Sequence, residues 1–280
     1  NKALINVKSD NAVINSNYGN VATVAASAGA TVTIEGNDLA ITNNNTNYLK
    51  NAQVVEKEDA KIAIGSGGLL NPSRADLVEE YGATEVNAGD IVIKAANNLN
   101  INGNIVIKAN PDAAAGNSIS INKGNDTALV NITGDIYTDK GNEVHLTLGD
   151  GSAASQAGNA AGRQAGRSTL TGAILDKAST AAGFSFSDAN FSAKGTNLNM
   201  KNATWNVTAD SEAADVKMDV PADSEAATVA MAGSSTIDLT HDHGFQKLKI
   251  NNLSGTIRMD YDDSQSSTDG STADKLFINN

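Results

Sequence analysis

The chain has 280 residues, with 20 basic and 32 acidic side chains and a formal net charge of −12. Hydrophobic residues make up 40% of it, which is enough for a buried core, and cysteine is absent. The acidic balance excludes the basic surface that nucleic-acid binding requires. The missing cysteines exclude disulfides, thiolate zinc sites and iron–sulfur clusters. We expect a folded protein that is stabilised by packing and hydrogen bonds and has no nucleic-acid partner.

Membrane and export signals are both missing from the pattern of the chain. No run of about 18 consecutive apolar residues occurs, and residues 1–5 do not resemble a signal peptide. We therefore expect that this fragment neither inserts into a membrane nor carries its own export signal.

Turn-forming residues are unusually frequent. The chain contains 35 asparagines and 25 glycines but only 3 prolines. Asparagine and glycine tolerate left-handed backbone, so the composition predicts many tight turns. Asparagine amides at such bends can also stack on amides of a neighbouring turn.

Short β-branched runs lie between these turns along the whole chain. Their apolar and polar residues alternate with period two, which is typical of β-strands. The main runs are residues 4–7, 32–34, 39–41, 62–64, 91–93, 99–101, 105–107, 119–121, 144–148, 198–200, 205–207, 216–218, 237–239, 248–250, 257–259 and 276–278.

The length and spacing of these runs select the architecture. Most offer only two or three inward apolar positions, which is short for a sandwich or barrel strand. An all-β, parallel β-helix with a few loop excursions fits better, because each short strand can pair with its counterpart in the next coil. If each coil takes about 20 to 27 residues, about 10 to 14 coils form a rod about 50 to 65 Å long.

Two weak internal repeats support a solenoid. Residues 89–95 are echoed by residues 103–109, and residues 132–136 are echoed more loosely by residues 170–174. Such self-similarity is the sequence signature of stacked coils.

Two segments that depart from this rhythm contain candidate binding residues. Residues 71–82 have proline and serine at the start and glycine at the end of a short predicted helix, and Arg74 and Tyr81 could face a ligand there. Residues 149–167 are small and of low complexity, so we expect a mobile loop in which Arg163 and Arg167 are exposed.

The remaining candidates for chemistry are weak. His241 and His243 could share one face of an extended segment, but two imidazoles do not make a metal site, and His145 is distant in sequence. Residues 260–270 are acidic without the spacing of a calcium loop. No nucleophile elbow, phosphate-binding loop or dinucleotide motif occurs, and the carboxylates are scattered. We predict no catalytic residue, metal or cofactor.

The C-terminal quarter has an ordered series of distinctive segments. A tryptophan segment (residues 202–208) is followed by a serine-led segment (235–239), a phenylalanine segment that runs into Leu-Ser-Gly (245–260) and an Asp-Lys-Leu strand (273–278). This order resembles the end of a pertactin-like autotransporter passenger. Residues 132–136 and 168–174 resemble passenger coils more loosely.

The resemblance implies one right-handed β-helix passenger fragment over residues 1–280. Residues 1–200 would be upstream coils and residues 201–280 the pertactin-like coils. In that family the last coils form a stable folding core, which implies that role for Trp205, Phe245, Leu253 and Leu276. Three features depart from the pattern, namely an alanine-rich and acidic insertion at residues 209–232, Thr256-Ile257 after Ser-Gly, and an end at Asn280 before the remaining strands and the translocator barrel.

Two function classes follow from these observations. The first is a non-catalytic adhesin or host-contact protein, displayed outside a Gram-negative-type outer membrane by type V secretion and joined to an outer-membrane barrel in the full-length protein. Its partners would be a host glycan, a matrix or cell-surface protein, or a second copy of itself. The alternative is a β-helix polysaccharide lyase or glycoside hydrolase, because fold does not fix function. Converging carboxylates in a groove would favour the enzyme.

Overall fold

The computed structural model describes residues 3–16, 22–44, 47–50, 53–56, 62–67, 88–108, 116–138, 141–157, 166–176, 194–219, 235–240, 246–254, 257–258 and 274–279. Twenty of their strands join one sheet, and the strands of this sheet pair in parallel. The chain runs repeatedly along three faces in the order A, B, C, and each strand pairs with its counterpart in the next coil. The predicted all-β, parallel β-helix is confirmed.

The strands divide among the three faces as follows. Face A holds β1 (Leu4–Lys8), the first parts of β4 (Thr31–Asn43) and β8 (Asp90–Asn102), β10 (Ser118–Ile121), β13 (Glu143–Leu148), β16 (Thr196–Met200) and the second parts of β18 (Ser211–Met218) and β20 (Lys247–Ser254). Face B holds β2 (Asn11–Ser16), the second parts of β4 and β8, β11 (Leu129–Thr133), β14 (Ser168–Thr171), β17 (Ala203–Asn206), β19 (Thr236–Asp238) and β21 (Ile257–Arg258). Face C holds β3 (Val24–Ala26), β7 (Ile62–Gly67), β9 (Asn104–Lys108), β12 (Ile136–Thr138), β15 (Ile174–Asp176), the first parts of β18 and β20, and β22 (Lys275–Ile278).

The core consists of apolar ladders that run parallel to the helix axis. On face A, an unbroken register joins Val7, Ile34, Ile93, Ile121, Leu146, Leu198, Val216 and Leu253. On face B, it joins Ile14, Ile41, Ile101, Ile132, Leu170, Trp205, Ile237 and Ile257. Because alternate residues of a strand point to opposite sides, most strands of the inner coils give their apolar residues to these ladders and most of their polar residues to solvent. Strand β1, in the first coil, is exposed along its whole length.

The described strands form eight coils, fewer than the 10 to 14 that an equal coil length predicts. The chain length between neighbouring coils is unequal, since 23 residues separate the hydrogen-bonded Gly124 and Thr147 but 59 separate Glu35 and Lys94. The echo between residues 132–136 and 170–174 is a true coil repeat. In the other echo, residues 89–95 and the described residues 103–108 belong to faces A and C of a single coil.

Asparagine and glycine build the corners in different ways. Asn122 and Asn202 have φ values of 48° and 47°, as the composition predicts for corner asparagines. The Asn122 amide bonds the backbone of Ala95 in the preceding coil instead of stacking on another amide. At the corner between faces B and C, a Cβ on Gly172 would lie 2.1 Å from the carbonyl oxygen of Gly134, so only glycine allows the coils to approach this closely.

Three local features differ from the sequence expectations. An antiparallel hairpin, β5 (Asn47–Lys50) with β6 (Gln53–Glu56), follows face B of the second coil. The predicted loop at 149–167 contains a helix, α1 (Ser152–Ala157), where Asp150 accepts a hydrogen bond from the Ser152 N–H. Part of the expected insertion at 209–232 is strand β18, which continues the coils with buried alanine and valine side chains.

Among the residues whose structure is described, no helix has the length and apolarity needed to cross a membrane.

Candidate functional site

A groove follows the corner between faces A and B, and we call it the corner groove. Its first part has a volume of about 610 Å³ and crosses the first four coils, and its second part has a volume of about 370 Å³ and continues over coils four to seven. Gly124 lines both parts. The corner is tight because a Cβ on Gly36 would lie 2.5 Å from the backbone oxygen of Ser9 in the preceding coil.

Charged side chains of both signs line the corner groove. Its nine charged residues are Lys8, Asp10, Glu35, Lys94, Lys123, Asp126, Lys201, Lys217 and Asp219. Five positive and four negative groups give a surface that is close to neutral, on a chain whose net charge is −12. An anionic ligand would therefore meet less long-range repulsion at the groove than the net charge of the whole chain suggests.

The first part of the groove is organised by an ion pair between two coils. Lys8, Glu35 and Lys94 are register neighbours, and each directly follows an inward residue of the face A ladder. The Lys94 Nζ donates to Glu35 Oε1 at 2.8 Å. This hydrogen bond and the positive charge of Lys94 lower the pKa of Glu35. The carboxylate is thus ionised and already partly neutralised before any ligand arrives.

In the second part of the groove, one lysine holds two carboxylates. The Lys201 Nζ lies 3.1 Å from both Asp126 Oδ2 and Asp150 Oδ2. These hydrogen bonds raise the pKa of Lys201. Burial opposes ionisation of Asp150, but the hydrogen bonds from Ser152 and Lys201 outweigh it and lower the pKa of Asp150. A general acid needs a raised pKa, so Asp150 is poorly suited to protonate a glycosidic oxygen.

Face B presents a second polar surface, which we call the amide–hydroxyl array. It consists of the outward residues at alternate positions of β8, β11, β14 and β17, namely Asn100, Asn102, Asn131, Thr133, Thr169, Thr171, Thr204 and Asn206. Neighbouring coils are linked where Asn131 Nδ2 donates to Asn100 Oδ1 at 3.3 Å and Thr169 Oγ1 donates to Asn131 Oδ1 at 3.1 Å. The array has two columns, and these bonds link three side chains of the first one.

Four ionisable side chains of the C-terminal half of the helix are buried, namely Asp274, which accepts a hydrogen bond from the Gln246 N–H, and the three described next. Asp176 accepts hydrogen bonds from the backbone N–H groups of Thr196 and Ala214 and from the Thr196 hydroxyl. Burial raises the pKa of Asp176 to about 7, although these hydrogen bonds oppose the shift. Lys249 Nζ and Glu212 Oε1 lie 3.8 Å apart. Since all three side chains are buried, they cannot touch a ligand at the surface.

The structure locates only one of the four candidate binding residues. Arg167 is exposed directly before β14, on the face B side of the fifth coil. Arg74, Tyr81 and Arg163 lie outside the described residues, as does the predicted helix at 71–82. Their proposed contact with a ligand stays a prediction.

The residues expected to form the folding core have different surroundings. Trp205 is fully buried, and its indole Nε1 donates to the carbonyl oxygen of Gly172 at 2.9 Å. Leu253 and Leu276 are partly buried and pack against the main core. Phe245 belongs to a segment that the structure does not describe. The positions of the first three residues suit a core role, but their part in folding stays a prediction.

Histidine forms no described metal site. Within the described ranges, no group of three or more histidine, aspartate or glutamate side chains could hold an ion. His145 points outward on face A, where burial lowers its pKa, Lys123 lowers it further and Glu143 opposes both. His241 and His243 fall in residues 241–245, which are not described.

Sequence reasoning missed both polar surfaces, although a signal for each was present. The sequence signal for the corner groove is a charged residue directly after the last inward apolar residue of a face A strand, as in Val7-Lys8, Ile34-Glu35 and Ile93-Lys94. The sequence signal for the array is an inward apolar residue with one polar residue before it and one after it, as in Asn131-Ile132-Thr133. Neither pattern has meaning until the coil register is known.

Comparisons of the chain with protein-family models, with curated proteins and with solved structures found no match.

Proposed function

We propose that this chain is a non-catalytic, extracellular passenger segment of a pertactin-like autotransporter, and that it makes adhesive contacts at a Gram-negative bacterial surface. The observation that carries the proposal is the parallel β-helix whose outward polar side chains repeat from coil to coil. A surface that repeats along one axis suits a ligand that is itself extended, such as a host glycan or a matrix protein. The resemblance over residues 205–278 supports the autotransporter assignment.

The corner groove is one contact surface that this function can use. Both lysines and carboxylates line it, so a polar ligand can form hydrogen bonds with either sign of charge. Lys123 is exposed there, next to the Gly124 that both parts of the groove share.

Binding to immobilised glycans and to matrix proteins such as collagen and laminin tests the adhesive role. We expect saturable binding of the whole chain to at least one of these ligands and weaker binding of Lys123→Ala. Lys275→Ala is the matched control, because it removes an exposed lysine from face C. No binding to any glycan, matrix protein or second copy, or release of cleaved products from a polysaccharide, would contradict the proposal.

The autotransporter assignment has a separate test. We expect the reading frame beyond Asn280 to encode further helix strands and then about 250 to 300 residues of alternating, aromatic-flanked segments that form an outer-membrane barrel. A stop codon, or a carbohydrate-binding module in place of the barrel, would overturn this assignment.

A further inference from the structure

The amide–hydroxyl array differs from the corner groove in its lack of charge. Its two columns remain uncharged when extended back through Thr42 and Ala40 to Asn15 and Val13 in the first coil. The first acidic residue in either column is Asp238, in the seventh coil. The adjoining corner groove carries nine charged residues over the same coils.

Hydrogen bonds between coils hold five of the eight side chains of the array in place before any ligand arrives. In the first column, Asn131 donates to Asn100 and Thr169 donates to Asn131. In the second column, Asn206 Nδ2 donates to Thr171 Oγ1 at 3.1 Å. An asparagine amide has two N–H donors and two lone pairs, so these single bonds leave capacity for a ligand. Because these five side chains are already held in place, they have less side-chain entropy to lose on binding.

The array also has a regular period in two directions. Register neighbours in adjacent coils are about 4.8 Å apart, and alternate residues of one strand are about 6.6 Å apart. Asn100, Asn102 and Thr133 are exposed, and the other members are half-buried. A matching ligand is therefore extended along the helix axis, repeats at about one unit per coil and presents groups that both donate and accept hydrogen bonds.

Neutral hydroxyl groups fit this surface better than charged groups do. An anionic or cationic ligand would lose hydration at the array without meeting an opposite charge, which is costly. A hexose unit in an extended chain advances by a length close to one coil spacing, and its hydroxyls can bond both to amides and to threonine. Weak contacts that repeat over four or more coils add up to a useful affinity.

We propose that the amide–hydroxyl array binds an extended, neutral polysaccharide whose chain lies along the helix axis, with about one sugar unit over each coil. This inference rests on the proposed adhesive function and names the ligand class. It assigns neutral polysaccharides to face B and charged ligands to the corner groove.

The test measures retention of the whole chain on insoluble cellulose and chitin, and its affinity for soluble cellohexaose, with alginate as the anionic comparator. The array variant carries Asn100→Asp and Asn102→Asp, which keep the shape and the acceptor for Asn131 but add two charges. The control variant carries Asn6→Asp and Ala25→Asp, two exposed positions on faces A and C that lie outside both polar surfaces and add the same charge. Circular dichroism and urea unfolding check that each variant is folded.

We expect the wild type and the control to bind the neutral polysaccharides, and the array variant to bind at least about tenfold more weakly. If the array variant does not fold, Thr133→Glu makes the same test at an exposed position. Equal binding by all variants would overturn the array as the site while leaving the adhesive function in place. Binding only to alginate or to a matrix protein would overturn the neutral-ligand inference, and binding to no ligand of any kind would overturn the proposed function as well.

Discussion

Two regions of the helix have the same ladders but different interiors. In the central region, residues 88–138, the described interior is mostly isoleucine, with Ile91, Ile105 and Ile136 fully buried and no charged side chain buried. In the C-terminal region, residues 166–254, the described interior also contains Trp205, Asp176 and the Glu212–Lys249 pair. Each coil contacts only its neighbours, so the two regions can differ in what stabilises them. The described interior of the central region is therefore stabilised by apolar packing and uncharged hydrogen bonds, whereas the stability of the C-terminal region should also depend on buried charges and on pH.

The largest expected effect comes from Trp205. Replacing it with alanine leaves a large cavity and an unpaired carbonyl at Gly172, so Trp205→Ala should lower the free energy of unfolding by about 5 kcal/mol. Urea unfolding monitored by circular dichroism measures this loss. Trp205→Phe, which keeps a ring but removes the N–H donor, should cost much less. Equal losses in the two variants would show that the hydrogen bond matters and the packing does not.

The buried ion pair should be nearly as sensitive. Lys249→Met leaves the Glu212 carboxylate buried without its cation, and we expect a loss of about 3–5 kcal/mol in the free energy of unfolding. Adding Glu212→Gln to this variant should recover most of the loss, because the remaining buried group is neutral. A double variant no more stable than Lys249→Met would contradict the ion-pair account.

Asp176 should make the stability depend on pH. Burial raises its pKa from 3.8 to about 7, so the folded state holds a proton that the unfolded state has released. The stabilisation from this group is fully present below about pH 4, declines between about pH 4 and pH 7, and is absent at higher pH. The total change in the free energy of unfolding is at most about 4 kcal/mol. The difference in urea stability between the wild type and Asp176→Asn isolates this group from the other carboxylates. A difference that is constant from pH 4 to 8 would contradict the shift.

The smallest expected effect lies in the central region. Ile101→Val removes one buried methylene group from the face B ladder, and we expect a loss of about 1 kcal/mol in the free energy of unfolding, independent of pH. Urea unfolding at two pH values measures both parts of this prediction. A pH-dependent loss at Ile101 would remove the distinction between the two regions.

The fold could be predicted from sequence because its local pattern is strong. Runs such as Ile91-Val92-Ile93 and Leu99-Asn100-Ile101 show which residues face inward, and the frequent asparagines and glycines predict the corners. The number of coils could not be predicted, because the pattern does not say on which coil a strand stacks. Glu35 and Lys94 are neighbours across 59 residues of chain.

The polar surfaces could not be predicted for the same reason. Asn100, Asn131 and Thr169 are unremarkable in sequence and form a column only through the register of three strands. Asp176 looked like one of many scattered carboxylates, and its burial depends on strand β15 closing the corner against Thr196 and Ala214. Composition limits the fold class, but a site built across coils needs the pairing of distant residues.

The register of the coils is the central claim, and an engineered disulfide tests it most directly because the chain has no cysteine of its own. Asn102 and Thr133 are exposed register neighbours in adjacent coils, at a separation of about 4.8 Å that a disulfide can bridge. Thr171 lies one coil further, at about 9.6 Å from Asn102, which is too far. We predict that the pair Asn102→Cys and Thr133→Cys oxidises to a disulfide without loss of fold, while the pair Asn102→Cys and Thr171→Cys keeps free thiols. Free thiols in the first pair, or a disulfide in the second, would contradict the register.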